Sequence, residues 1–141
     1  MKEEDFMRLA IKDAKENKHH FGAVVIKNNK VISKAGKRPK GDARYHAETQ
    51  ALLKATNKLK VKRFPKGCTL YATCEPCVMC FYMAWITGIS KIAYGATLED
   101  SLKYGFPEIQ VTTNEMNHKS GNKIILKKGF LRNECLELFK R

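Results

Sequence analysis

The chain lacks any apolar run near the ~20 residues that a membrane-spanning helix needs. Its first residues, Met1–Asp5, are too acidic and polar for a signal peptide. Cysteine is also scarce, and because its five residues cannot all pair they do not indicate a disulfide framework. These absences argue against a membrane partner, and we expect a cytoplasmic protein.

Acidic residues are in short supply as well. The chain has 14 Asp and Glu residues against 27 Lys and Arg residues, which gives a formal net charge of +13 at pH 7. Such a field could attract tRNA, a nucleotide or another anion. The lysines are spread along the whole sequence, however, and no arginine-rich tract is present, so a solvated basic surface is the simpler interpretation. Repeats and interior linkers are missing too, and the length of 141 residues predicts one domain over residues 1–141.

What the chain does contain is a set of metal-ligand side chains in two short motifs. These motifs are His46-Ala47-Glu48 and Glu75-Pro76-Cys77-Val78-Met79-Cys80. A structural zinc site uses four protein ligands, whereas a catalytic site keeps one position open for water. Three potential ligands, His46, Cys77 and Cys80, together with Glu48 as a spare carboxylate, therefore predict a catalytic zinc site.

Both motifs are expected where helices begin. Pro76 suits a first-turn position before an apolar helix, and the free N–H groups of a helix N-terminus stabilise thiolates and anions. Zinc lowers the pKa of a bound water towards neutrality, and Glu48 could carry its proton to a ring nitrogen and a departing amine. The pattern H-x-E followed by P-C-x-x-C is the signature of zinc nucleobase deaminases.

Two simpler interpretations of the cysteines remain open. Cys68 and Cys74 could join Cys77 and Cys80 in a structural zinc site, or the C-x-x-C pair could be a redox centre. A redox pair would not call for the histidine motif, and a structural site usually brings two tight ligand pairs. The sequence therefore favours the catalytic interpretation.

Hydrophobic periodicity predicts alternating helices and strands. An apolar stripe from Phe6 to Ala14 predicts a first helix, and β-branched runs on either side of Lys27–Lys30 predict a β-hairpin. Further helices are predicted at 46–57, 77–87 and 132–139, and further strands at 68–73, 89–94 and 123–126. The strand–helix–strand unit around 77–87 implies parallel pairing, and that helix is apolar almost all round.

On these motifs the chain resembles the cytidine-deaminase-like superfamily over nearly its whole length. The resemblance implies an α/β class fold with three α/β/α layers and a mixed sheet of about five strands. It implies that the first and last helices flank the two zinc-bearing helices. It also implies zinc at His46, Cys77 and Cys80, with Glu48 as the catalytic proton shuttle.

The resemblance further implies which residues face the substrate. Phe21 lies in a segment similar to the early strand of guanine deaminases, and Asp100 and Phe106 lie in one similar to their base-holding segment. Lys37 stands where related deaminases carry a base-gripping asparagine, and the backbone N–H of Ala47 or of Cys77 would hold a ring oxygen or the hydroxide. Helix capping explains Asp100 equally well.

Three functional hypotheses follow. The first is deamination of a free nucleobase or nucleoside, with a guanine-like purine favoured and ammonia released. The second is tRNA-specific adenosine-to-inosine deamination, suggested by the net charge, by Met116-Asn117-His118 and by residues 127–138. The third is a zinc-stabilised binding domain without catalysis, which has no use for Glu48. The apolar helix at 77–87, together with the dimers of related deaminases, predicts a homodimer.

Overall fold

A five-stranded sheet organises residues 1–140, which are the residues that the computed structural model describes. The elements follow one another as α1 Glu3–Glu16, β1 Ala23–Lys27, β2 Lys30–Lys34, α2 Ala47–Leu59, β3 Cys68–Cys74, α3 Val78–Thr87, β4 Lys91–Ala96, α4 Leu98–Lys103, α5 Thr113–Lys119, β5 Ile125–Lys127, α6 Arg132–Leu136 and a 3₁₀ turn at Glu137–Lys140. None of the helices within this range is both long and apolar enough to cross a membrane.

The sheet has the strand order β2-β1-β3-β4-β5. Strand β1 is antiparallel to β2 and β3, whereas β3, β4 and β5 run parallel. The β1–β2 turn places Asn28 and Asn29 at φ values of 49° and 61°. Asparagine tolerates this conformation, which the tight turns of β-hairpins require. The predicted hairpin, the parallel pairing and the mixed sheet are confirmed.

Helices cover both faces of the sheet, because successive strand residues point to opposite sides. Val25 and Leu70 pack in one apolar cluster with residues of α2 and α3. Val24 and Tyr71 pack in a second cluster with residues of α1 and α6. Helices α1 and α6 therefore cover the opposite face of the sheet, rather than flanking α2 and α3 as predicted.

Three element boundaries differ from the prediction, which are the start of β4, the start of β5 and the end of α6. Strand β4 starts at Lys91, since Gly88 ends α3 in a left-handed conformation and the Ile89 N–H is still bonded to Ala84 O at 2.9 Å. The terminal helix α6 ends at Leu136 and continues only as a 3₁₀ turn. Strand β5 begins at Ile125, two residues later than predicted.

The sequence analysis predicted no helix at α5 and raised one at α4 only through the alternative capping role of Asp100, although both helices carry a recognisable start signal. Thr97 and Thr112 each accept a bond from the backbone N–H three residues later, at Asp100 and Glu115. The carboxylates of Asp100 and Glu115 accept in return from the backbone N–H of the threonines. This reciprocal pattern is a capping box, for which T-x-x-D and T-x-x-E are sequence signals.

A close backbone approach holds the start of β1 against α1. A Cβ atom at Gly22 would lie 2.1 Å from the Ala10 carbonyl oxygen, so only glycine fits there. Gly22 also exchanges bonds with Thr73, its N–H donating to Oγ1 and its carbonyl accepting from the Thr73 N–H, both at 3.0 Å. This arrangement fixes the neighbouring Phe21 beside the end of β3, next to the metal-ligand motif.

Candidate active site

Two helix N-termini meet at the C-terminal end of β3. His46 is the N-cap residue of α2, Cys77 is the N-cap residue of α3, and Cys80 lies in the first turn of α3. Pro76 precedes the cap instead of occupying the first turn as predicted, because the extended backbone at Cys77 delays the helix to Val78. The helix starts thus carry all three predicted metal ligands to one point.

The three ligand atoms form a nearly equilateral triangle. The Nδ1 atom of His46 lies 3.6 Å from the Cys77 Sγ and 3.5 Å from the Cys80 Sγ, and the two sulfurs are 3.5 Å apart. Tetrahedral coordination with bonds of ~2.0–2.3 Å needs ligand atoms about 3.4–3.8 Å apart. The donor set of one nitrogen and two sulfurs therefore fits a metal ion such as zinc.

No fourth cysteine joins this group within residues 1–140. The Cys74 thiol is buried and directed at the carbonyl oxygen of Thr97, 3.9 Å away. Cys68 is buried at the other end of β3. A group of three ligands disfavours the structural zinc site that was the simplest alternative.

The two thiols differ in acidity. The hydrogen bond between the two thiols lowers the pKa of Cys77 to about 4, and His46 contributes to this shift. The same contact, together with burial, raises the pKa of Cys80. The thiolate is the form of cysteine that binds metals, so Cys77 carries the ready ligand.

Glu48 lies beside the two thiols at the buried end of the site. Only 6% of the residue is exposed, and burial raises the pKa of its carboxyl to about 7. Negative charge on Cys77 adds to this shift, while a hydrogen bond with Cys80 opposes it. A carboxyl group with a pKa near neutrality can both accept and donate a proton, which is what a general acid/base needs.

A cavity of about 1240 Å³ opens over this group. Its lining includes His46 and Glu48 as well as four of the five residues predicted to face a substrate, which are Phe21, Lys37, Ala47 and Phe106. The rings of Phe21 and Phe106 meet edge to face with their centroids 5.0 Å apart, forming an aromatic part of the wall.

Asp100, the fifth predicted substrate residue, does not line this cavity. Its carboxylate accepts from the Arg132 guanidinium, with Arg132 Nη2 2.6 Å from Oδ1 and Nε 2.8 Å from Oδ2. It also accepts from the Thr97 N–H at 2.9 Å as the cap of α4. These bonds occupy both oxygens, and the alternative role of Asp100 as a helix cap is the one that the structure supports.

Several charged residues of the cavity lining were not predicted as site residues, among them Arg38, Glu75 and Glu108. Burial raises the pKa of Glu108 to about 6. Glu75 accepts from the backbone N–H groups of Leu98 and Thr113, each at 2.8 Å, and so fastens the metal-ligand loop to α4 and α5. The position of Glu75 within the cysteine motif was the signal that could have found it. Arg38 and Glu108 could have been found only because they are close in sequence to Lys37 and Phe106.

A ligand group of one histidine and two cysteines, beside a buried glutamate that lines an open cavity, has the features of a metal-dependent deaminase. The chain belongs to the MafB19-like deaminase family, whose family model matches residues 2–134.

Relatives of known name are similar over about two thirds of the chain. A probable cytosine deaminase of Schizosaccharomyces pombe is 38% identical over 104 residues, which span 70% of this chain and 62% of that protein. A tRNA-specific adenosine deaminase of Aquifex aeolicus is 34% identical over 102 residues, which span 68% of this chain and 67% of the relative.

Solved structures agree with the fold over nearly the whole chain. A guanine deaminase from Nitrosomonas europaea superimposes with a TM-score of 0.87 and 26% identity, covering 99% of this chain and 83% of that one. A structure from a study of A-to-I editing by tRNA:A34 deaminases has a TM-score of 0.76 and 26% identity, covering 95% and 98%. The predicted cytidine-deaminase-like fold is confirmed.

Proposed function

We propose that this protein catalyses the hydrolytic deamination of an amino-substituted nucleobase or nucleoside and releases ammonia. The observation that carries the proposal is the buried Glu48 beside a three-member ligand group, in a cavity lined by Glu48 and by the ligand His46. A purely structural metal site would use a fourth protein ligand and would have no need of a carboxyl group inside the cavity.

His46, Cys77 and Cys80 would hold zinc. When bound, zinc supplies a water molecule acidic enough to act as a nucleophile at neutral pH. Glu48 would accept one proton of the attacking water and pass it to a ring nitrogen. It would then carry the second proton, from the hydroxyl group added to the ring carbon, to the amine, which leaves as ammonia as the ring carbonyl forms. The backbone N–H of Ala47, at the start of α2, would hold a ring oxygen during the reaction.

We favour a guanine-like purine as the ring. Support comes from the aromatic wall of Phe21 and Phe106, and from a protein of the same fold solved with 2,6-diaminopurine at 26% identity and a TM-score of 0.87. Asp100, which the sequence analysis counted in favour of guanine, provides no support because Arg132 and Thr97 engage its carboxylate.

Editing of adenosine in tRNA is the second candidate function. It is favoured by the net charge of +13 and by the 34% identity with the Aquifex aeolicus tRNA-specific enzyme. Met116-Asn117-His118, the segment that suggested it, lies in α5 outside the cavity lining. Asn117 there has a structural role, since its amide donates to Ile124 O at 2.7 Å and accepts from the Ile124 N–H at 3.2 Å.

The proposal is tested by measuring ammonia release from a panel of bases and nucleosides, and inosine formation in unmodified tRNA. Glu48→Gln should lower turnover by roughly 10²-fold or more, because the amide keeps the shape of the side chain but cannot carry the proton. Its metal content should match that of the wild type. Near wild-type turnover in Glu48→Gln would refute the mechanism, and no turnover on any substrate would favour a binding domain.

We also propose a homodimer and a cytoplasmic location. The outer face of α3 exposes Met79, Tyr82 and Ile86, by 38%, 58% and 42%, which is apolar surface that a partner copy could cover. Thiolate ligands suit a reducing compartment. Sedimentation equilibrium at micromolar concentration should give twice the monomer mass, and a monomer would contradict the dimer.

A further inference from the structure

Arg38 is the one arginine of residues 1–140 that is half-buried, and like the exposed Arg63 it has no acidic partner. Arg8, Arg44 and Arg132 are exposed and each pairs with a carboxylate, at distances of 3.0, 2.8 and 2.6 Å. Arg38 is half-buried, forms no ion pair with any residue of the described range, and donates a single hydrogen bond, from Nη2 to Phe21 O at 2.8 Å. Most of its five N–H donors therefore remain available in a fixed orientation.

The acidic groups nearest to Arg38 do not neutralise it by contact. Asp13 and Glu48 interact with its charge only at a distance. Both oxygens of Asp13 are engaged, Oδ2 by the Gly36 N–H at 3.0 Å and Oδ1 by the Asn17 amide at 3.4 Å. A guanidinium that is removed from water without a paired anion is costly, and such a group commonly serves a ligand.

The mouth of the cavity adds positive charge around Arg38. Three lysines, Lys18, Lys37 and Lys40, line the same cavity. Two of the lining carboxylates already have basic partners outside the lining, since Asp42 pairs with Arg44 at 2.8 Å and Glu16 lies 3.8 Å from Lys12. The three lysines and Arg38 therefore stand against three acids without a basic partner, which are Glu48, Glu75 and Glu108.

The size of the cavity leaves room beyond a ring. Its volume of about 1240 Å³ exceeds the ~300–1,000 Å³ that is typical for small-ligand pockets. A ring seated against Glu48 and the aromatic wall would therefore leave the part of the cavity lined by Lys37, Arg38 and Lys40 open to a substituent.

We propose that Arg38 anchors a phosphate group of the substrate, so that the nucleoside presented to Glu48 is phosphorylated. The planar guanidinium matches phosphate oxygens with paired donors, and Lys37 and Lys40 at the mouth add charge without directional bonds. The phosphate belongs either to a free nucleotide or to a nucleic-acid backbone. This inference rests on the proposed deamination, because that reaction places the ring at Glu48.

Binding measurements test the anchor without any turnover. In a zinc-loaded Glu48→Gln background, isothermal titration compares guanosine, adenosine and cytidine with their 5′-monophosphates and with short single-stranded oligonucleotides. Phosphorylated ligands should bind more tightly, and Arg38→Gln should remove about tenfold to a hundredfold of their affinity while changing the affinity of the unphosphorylated nucleosides by less than about twofold. Glutamine keeps an N–H donor on an uncharged side chain, so this variant removes the charge and the paired guanidinium donors.

Arg63→Gln is the matched control. Arg63 is exposed and also donates to a backbone carbonyl, that of Ile86 at 3.1 Å, but it does not line the cavity. It should leave all affinities unchanged. A loss confined to monophosphates identifies a free nucleotide, and a salt-sensitive loss confined to oligonucleotides identifies a backbone phosphate.

Three outcomes would overturn the proposal that Arg38 anchors a phosphate group. The first is equal affinity for phosphorylated and unphosphorylated ligands, and the second is an equal loss for both in Arg38→Gln. The third is failure of every phosphorylated ligand to bind. The deaminase proposal fails separately, by absence of turnover in the wild-type enzyme, so the two failures can be distinguished.

Discussion

The ligand group and the mouth of the cavity are built in different ways. His46, Cys77 and Cys80 sit at the starts of two helices that pack on the same face of the sheet. The mouth is formed by loops before β1, before α2 and after α4, which are far apart in the sequence. The geometry of the first therefore follows from short local motifs, whereas that of the second depends on long-range packing.

Two carboxylates with the same exposure illustrate the difference. Glu48 and Asp100 are each 6% exposed. Burial raises the pKa of Glu48 to about 7, while the Arg132 guanidinium lowers the pKa of Asp100 to about 2. Burial alone does not identify a functional acid, since a paired carboxylate stabilises the fold and an unpaired one remains available for chemistry.

Removal of a sulfur ligand from the ligand group should have the largest effect of any single substitution, and the effect should be on bound zinc. Cys80→Ser replaces a soft sulfur donor and is expected to reduce bound zinc from about one equivalent per chain to a small fraction of that. Cys74→Ser is the matched control, because Cys74 is a buried neighbour whose thiol faces the Thr97 carbonyl. Metal analysis of both purified variants tests this, and equal metal loss in both would show that Cys74 is needed for the site.

The ligand group could be predicted from the sequence because its residues lie in two short motifs. The residues of H-A-E and P-C-V-M-C are brought together by helix geometry over a few positions, and only the pairing of the two motifs required the fold. The central strands, the hairpin and α1 were predictable for the same reason. Their apolar periodicity is short-range, and Asn28-Asn29 marks the turn.

The mouth could be predicted only in part. Phe21, Lys37, Ala47 and Phe106, which family resemblance suggested as substrate-facing residues, line the cavity, whereas Asp100 does not. No sequence pattern near Asp100 predicts its pairing with Arg132, which lies 32 residues away and begins α6. Arg38 was missed for the converse reason, since its lack of an acidic partner is visible only once every neighbouring element is in place.

Glu75→Gln should have the next largest effect. Glu75 is 6% exposed and accepts three bonds, from Leu98 N, Thr113 N and Thr113 Oγ1. An amide nitrogen would replace one acceptor and leave a buried N–H unsatisfied, which should lower the free energy of unfolding by about 2–3 kcal/mol. Urea denaturation measures this loss.

Glu115→Gln provides the control for that substitution. Glu115 also accepts from a helix-cap threonine, with Oε1 3.3 Å from Thr112 N, but this cap is exposed. Its loss should cost less than about 1 kcal/mol. Equal losses in the two variants would mean that the buried hydrogen bonds of Glu75 stabilise the fold no more than an exposed helix cap does.

Asp100→Asn should lower the free energy of unfolding by less than Glu75→Gln does, and its effect should depend on pH. The folded pKa of about 2 lies below the ordinary value of 3.8, so the pair stabilises the protein above about pH 4, and this contribution is lost as the pH falls towards 2. A shift of nearly two pKa units corresponds to about 2–3 kcal/mol, and exposure of 47% of the Arg132 side chain reduces our expectation to about 1–2 kcal/mol.

Urea denaturation of Asp100→Asn at pH 7 and pH 3 measures this contribution. Glu134→Gln, which breaks the exposed pair with Arg8, should cost about 0.5 kcal/mol or less. Turnover should be nearly unchanged in both variants. A loss of turnover in Asp100→Asn at unchanged stability would restore the substrate role that the sequence suggested.

Lys37→Met should have the smallest effect, and its size distinguishes a lysine at the mouth from the buried arginine. Lys37 is exposed, so water and salt screen its charge, and exposed charge pairs contribute ~0.2–1 kcal/mol. The affinity for a phosphorylated ligand should therefore fall by at most about fivefold at low salt, and the difference should vanish towards ~1 M salt. Lys34→Met is the control, because Lys34 is exposed on β2 and lies outside the cavity lining. The loss in Arg38→Gln should be larger and persist at high salt, since a half-buried guanidinium is screened less. If Lys37→Met caused the larger and more salt-resistant loss, the base-gripping position predicted for Lys37 would be its true role, and the ring rather than a phosphate would lie against it.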